Sequence, residues 1–158
     1  MPQNYVAPAN AILVHGKPLD EEFEAAPGSA ILPGDLVEFN TSYCADGLAK
    51  IMECAVDSQN ALGFAEQSHE DDRDDVFIAG EAVRVLNGDI IVSARLAAGN
   101  AITCGENLKP AASGELAELD CEMAATDSSH NACLLVARSR ESLASATVVQ
   151  WIIVKCMI

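Results

Sequence analysis

Glycine followed by a polar residue recurs along this chain just ahead of short apolar runs. Gly34-Asp35 precedes Leu36-Val37, Gly80-Glu81 precedes Ala82-Val83, Gly99-Asn100 precedes Ala101-Ile102, and Gly105-Glu106 precedes Asn107-Leu108. Glycine supplies positive φ without a steric cost, so each pair reads as a turn feeding a strand. Several short strands at this spacing predict a mainly β fold: a compact barrel, β-clip-like or sandwich domain with one or two short helices.

Three stretches carry the clearest strand signal. Ala82-Val83-Arg84-Val85-Leu86 is followed by Asn87-Gly88 and then Ile90-Ile91-Val92, which predicts a tight hairpin, because Asn-Gly favours positive φ at both turn positions. Thr147-Val148-Val149-Gln150-Trp151-Ile152-Ile153-Val154 is β-branched and apolar on both faces, as a central strand is. Ala11-Ile12-Leu13-Val14 is the third. Leu48, Ile51, Met52 and Ala55, and again Leu116, Leu119 and Met123, have helical spacing. The dense glycine signals around them favour strand and turn.

The order of landmarks also repeats. Residues 30–35, 47–50 and 60–66 are echoed by residues 95–100, 114–118 and 131–138. The expected organisation is an extended arm over residues 1–9 and one β-rich domain over residues 10–158, with similar halves at about 30–67 and 95–138.

Half of the 158 residues are apolar, mostly Ala, Val, Ile and Leu, enough to fill one core. Aromatics are only four Phe, two Tyr and one Trp, too few for a base-stacking platform. The net charge of −15 repels phosphate backbones and anionic lipid surfaces, so neither nucleic acid nor membrane is an expected partner. The same charge favours solubility, or a basic partner surface. Met1-Pro2-Gln3-Asn4-Tyr5-Val6 lacks the basic and apolar regions of a secretory signal, and no apolar run approaches membrane length.

Candidate chemistry is sparse. Cys44, Cys54, Cys104, Cys121, Cys133 and Cys156 are scattered with no C-x-x-C pair, so no zinc or redox motif is indicated and reduced, buried thiols are expected. Disulfides stay open if the protein leaves the cell. Cys104 is the one thiol in a turn-like glycine context, and a base for it would have to be His15, His69 or His130. His69-Glu70-Asp71-Asp72-Arg73-Asp74-Asp75 is dense enough in carboxylates for Ca²⁺ but lacks EF-hand spacing, so it reads as a solvated loop. Asp20-Glu21-Glu22-Phe23-Glu24 reads as a partner contact or as a solvated edge that discourages strand addition. Trp151, among aliphatics, reads as core. No nucleophile elbow, phosphate loop or dinucleotide fingerprint is present, so no enzymatic activity, catalytic residue, cofactor or metal is expected.

Taken together, the motifs resemble a family. An early strand (Asn10 through Gly16) leads to Pro33-Gly34-Asp35-Leu36-Val37, then Gly47-Leu48-Ala49-Lys50 and Leu62-Gly63-Phe64-Ala65. Ala79-Gly80-Glu81-Ala82-Val83-Arg84-Val85 follows, then Leu96-Ala97-Ala98-Gly99-Asn100-Ala101-Ile102, Gly105-Glu106-Asn107-Leu108 and a closing Val148-Val149-Gln150-Trp151-Ile152-Ile153-Val154. This order is similar to that of the small capsid decoration, or cement, proteins of tailed viruses. The resemblance implies a structural protein made in the host cytoplasm that sits on the outer surface of a mature viral capsid. It implies a major capsid (coat) protein as partner, bridging of coat subunits and a homo-trimer. An N-terminal arm would make contact through Asn4, Tyr5 and Val6. The alternative is a small β-clip domain that binds a ligand or carbohydrate, with weak enzymatic activity; a third reading is a self-associating scaffold.

Overall fold

A computed structural model describes residues 12–44, 49–66, 74–119 and 135–158. The arm over residues 1–9, with Asn4, Tyr5 and Val6, lies outside the described residues, as do His69, His130, Cys121, Cys133 and most of the acidic run from His69.

The fold is mainly β. β1 (Leu13–Gly16) stands apart at the start of the chain. β2 (Leu19–Ala25), β3 (Leu36–Phe39), β4 (Lys50–Glu53), β5 (Ala61–Ala65) and β6 (Ala82–Asn87) close a barrel in the order β2-β4-β3-β5-β6. β7 (Ile90–Leu96), β8 (Asn107–Pro110), β9 (Leu116–Glu118), β10 (Ala137–Ser139) and β11 (Gln150–Cys156) form a second ring in the order β7-β11-β10-β8-β9, which the β7–β9 pairing closes. β1 lies against the first half of β7. Two short 3-10 turns, Thr41–Tyr43 and Ala112–Gly114, are the helical elements among the described residues.

The glycine-acid pairs act as turn devices. Leu32 N–H donates to Asp35 Oδ2 at 2.8 Å while Asp35 N–H returns to Leu32 O at 3.1 Å. Thr103 and Glu106 repeat this at 2.7 and 3.1 Å, and Ile78 and Glu81 at 2.5 and 3.0 Å. Each carboxylate satisfies a backbone donor that the turn would otherwise leave open, and the next residue enters a strand. Of the two stretches with helical spacing, Ile51 and Met52 lie in β4 and Leu116 in β9, while Ala55 and Leu119 follow just past the strand ends; none of these is helical.

The two barrels share one pairing scheme. β2 runs parallel to β4, and β7 parallel to β9; the other four ladders in each ring are antiparallel. Matching registers place Ala25, Val37, Ile51, Gly63 and Val85 at the positions of Leu96, Leu108, Leu116, Ala137 and Val154. Loop bonds follow: Ala26 N–H to Ile51 O (2.9 Å) matches Ala97 N–H to Leu116 O (2.8 Å). By pairing, Gly34-Asp35 corresponds to Gly105-Glu106, not to Gly99-Asn100. The units run over residues 19–87 and 90–156, and so extend beyond the segments 30–67 and 95–138.

The expected hairpin at Asn87-Gly88 is a different object. Gly88 does take positive φ, +93°, but β6 pairs with β2 and β5, and β7 pairs with β1, β9 and β11. The turn is the link between barrels. Each flanking strand needs two partners to satisfy its backbone, and each finds them in its own ring.

One core cluster fills the first barrel, with Ala25, Ile31, Val37, Ile51, Val83 and Val85 inside. The other fills the second barrel and continues out to Leu36, Cys54, Phe64 and Leu86 of the first. Alternation along β3 explains the split: Val37 points into its own barrel while Leu36 points into the joint.

Candidate functional site

Among the described residues, those singled out for chemistry do not converge. Cys104 is exposed, and its backbone N–H bonds Ser142 Oγ at 2.9 Å. His15 lies exposed on β1, which pairs with β7, while Cys104 lies in the turn before β8. Among the described residues no group of three or more His, Cys, Asp or Glu is arranged to hold a metal ion. Cys54 and Cys156 are buried and free, and burial raises both thiols above their ordinary range; Cys44 and Cys104 are free and exposed, against the expectation of buried thiols. Cys44 and Cys104 sit in loops outside both core clusters.

A buried polar cluster lies in the joint between barrels. Asp35, in the first glycine-acid turn, is 1% exposed, and its Oδ1 lies 3.2 Å from Arg95 Nε on β7. That contact is not aligned as a hydrogen bond from either atom. Arg95 Nη2 lies 3.8 Å from Glu115 Oε1. Burial dominates and pushes the Asp35 carboxyl up to about 7, opposed by the Leu32 N–H and by Arg95 and assisted by Glu115 and Glu53. Burial also raises Glu115, against the pull of Arg95. Arg95 draws the proton off while burial holds it on; burial wins because Asp35 is out of reach of water.

Trp151, expected in the core, is half-buried: it packs against the core of the second barrel and also covers this turn. A Cβ on Gly34 would lie 2.5 Å from Trp151 Cζ3 and 3.2 Å from Ser93 O, so only glycine allows the second barrel to approach this closely. Gly114 N–H donates to Cys54 O at 3.1 Å, Asp57 N–H to Pro110 O at 3.1 Å, and Lys109 Nζ pairs with Asp57 at 2.7 Å, extending the joint. Sequence reasoning marked the turn but not its partners. Nothing local to Arg95 or Glu115 signals that Asp35, about sixty positions before the one and eighty before the other, will be buried beside them.

The outer surfaces are of two kinds. On β2, Asp20, Glu21 and Glu22 are exposed, Asp20 pairs with Arg84 at 2.8 Å, and Glu24 pairs with Lys50 at 2.9 Å. Phe23 turns inward onto Phe39, with ring centroids 5.2 Å apart. Beside β1, a cleft of about 340 Å³ is lined by Leu13, Val14, His15 and Gly16.

These features define a class: two five-stranded barrels of one topology, fused through a buried, partly ionic joint. No family model and no curated protein matches the sequence. Among solved structures, the chain is similar to the N base of the head fiber gp8.5 of bacteriophage phi29, with a TM-score of 0.52 and 16% identity over 87% of this chain and 94% of that one. At that identity the likeness is one of fold.

Proposed function

We propose that this chain is a structural protein of a phage head, a decoration or cement protein that binds the outside of the mature shell and bridges coat subunits. The observation that carries this reading is the fold shared, over nearly the whole of both chains, with the N base of a phage head fiber. The order of sequence motifs supports it independently. Physically the role is linkage: a ligand that binds only the expanded lattice stabilises it in proportion to occupancy. Weak contacts suffice when several copies or several contacts act at once. The reading includes a trimer, an N-terminal arm contacting the shell through Asn4, Tyr5 and Val6, and no turnover.

The test is co-sedimentation of purified protein with expanded and unexpanded shells, followed by heating. Saturable binding to the expanded form with a raised disruption temperature is expected, and the Cys104→Ala and His15→Ala proteins bind as the parent does. Equal binding to both shells, or binding without added shell stability, overturns the reading. The cleft beside β1 favours the second reading, a ligand-binding β domain. A monomer in sedimentation whose melting temperature shifts with a small ligand would bear that out.

A further inference from the structure

Among the described residues, the duplicated topology leaves a strand position that is filled in one barrel and open in the other. In the second barrel, Leu13, His15 and Gly16 of β1 pair with Val92, Ile91 and Ile90, and Ser93 N–H donates to Ile12 O at 2.7 Å. The counterparts of residues 90–93 are residues 19–22 at the start of β2. On the side away from β6, β4 meets β2 only at Glu24 and Ala25, and among the described residues nothing pairs with residues 19–22 there. Ala25 N–H goes to Glu81 O on the β6 side, and Ala26 N–H to Ile51 O on the β4 side. Backbone groups alternate sides along a strand, so the N–H and C=O of Asp20 and Glu22 face the open edge. Glu22 is the counterpart of Ser93, whose N–H is the one that holds the N-terminal end of β1.

We propose that this edge accepts an extended segment of a partner protein with Lys or Arg at alternate positions and apolar residues between them, adding a strand to the first barrel where β1 completes the second. Charge decides the occupant. Asp20, Glu21 and Glu22 are all exposed, and among the described residues no salt bridge reaches Glu21 or Glu22. An acidic edge repels the strands of a chain with net charge −15, which guards against self-pairing, and the same charges select a cationic strand. Asp20 and Glu22 point to one face, where the alternating cations meet them. Leu19, 72% exposed, lies on the other face beside Glu21 and offers apolar contact to the residues between. The proposal stands whether or not the protein belongs to a phage head.

The test uses the full chain and a synthetic peptide of about eight alternating Lys and Val residues, the span of a strand, beside its Glu/Val counterpart. Amide exchange at Asp20 and Glu22 is the readout. The Lys peptide should slow exchange there by about tenfold, an effect lost near 1 M salt, while the Glu peptide should not. Glu22→Lys should weaken the first interaction and strengthen the second. The peptide comparison needs no variant, so a failure of Glu22→Lys to fold does not remove the test. Asp20 and Glu22 amides already protected in the free protein, or equal protection by both peptides, or by neither, overturns the proposal.

Discussion

Phe64 and Arg138 occupy the same position in the two barrels, yet Phe64 is fully buried in the joint and Arg138 is exposed. The substitution is systematic. Leu36, Cys54, Phe64 and Leu86 face the second barrel; their counterparts Asn107, Leu119, Arg138 and Lys155 include three polar residues. The ion pair at the parallel ladder is reversed: Glu24 with Lys50 in the first barrel, Arg95 with Glu115 in the second. Only the reversed pair can receive Asp35, because the first-barrel position carries Glu24. Barrel geometry is thus indifferent to these outer side chains, while the joint depends on them. As in repeat proteins, the face that meets a neighbour is apolar and the face that ends the array is polar.

The largest expected difference comes from exchanging the two residues. Phe64→Arg should cost about 3–5 kcal/mol, since it leaves a charge unpaired in the joint. Arg138→Phe should stay within about 0.5 kcal/mol of the parent. Denaturant unfolding measures both, and equal costs would mean that the joint does not distinguish the barrels.

A pH series sharpens the contrast between Asp35 and its counterpart Glu106. The native Asp35 carboxyl is raised from 3.8 to about 7, so the folded state holds the proton more tightly than the unfolded chain does. Its contribution is therefore complete below 3.8 and lost as the pH rises through about 7. Stability should fall over this window with a slope of up to about 1.4 kcal/mol per pH unit. Asp35→Asn should flatten the slope and Glu106→Gln should leave it; a slope unchanged in Asp35→Asn would place the titration elsewhere.

The smallest contrast is between two glycines. Gly34 and Gly105 both take positive φ, +85° and +93°, so Ala at either costs about 1–2 kcal/mol in backbone strain. Only Gly34 is covered, by Trp151; a Cβ on Gly105 meets nothing within 4 Å. Gly34→Ala should cost about 1–3 kcal/mol more than Gly105→Ala. Thermal melts of the two variants read the difference, and matching midpoints would mean that Trp151 does not press on the turn.

Local chemistry was legible in the sequence, and partners were not. Gly34-Asp35, Gly80-Glu81 and Gly105-Glu106 were readable as turns because the bonds that make them span three residues. Asn87-Gly88 was readable as a turn, but which strands it served depended on β2 and β11, far away in sequence. The repeat was audible as an echo, yet its register came from ladder pairings: Ala and Leu recur too often in both halves to fix which glycine matches which. Asp20-Glu21-Glu22 was read as a partner contact or a solvated edge. Among the described residues, β4 reaches only Glu24 and Ala25 and leaves the earlier part of β2 unpaired on that side. At the joint, the sequence placed Trp151 on a strand and Asp35 in a turn, but burial of Asp35 is a property of two surfaces meeting.

β1 and β11 both run antiparallel to β7 and flank it, with Val92 paired to Leu13 on one side and to Val154 on the other, and with a bulge in β1 between Leu13 and His15. The first and last described strands therefore run in the same direction with a single strand between them. Tension applied at the start of one and the end of the other acts along the strand axes in opposite senses. The ladders are loaded in shear, all rungs together, instead of being unzipped one at a time. Under such a load the second barrel acts as a clamp, and it must yield before the link at Gly88 or the first barrel feels the pull.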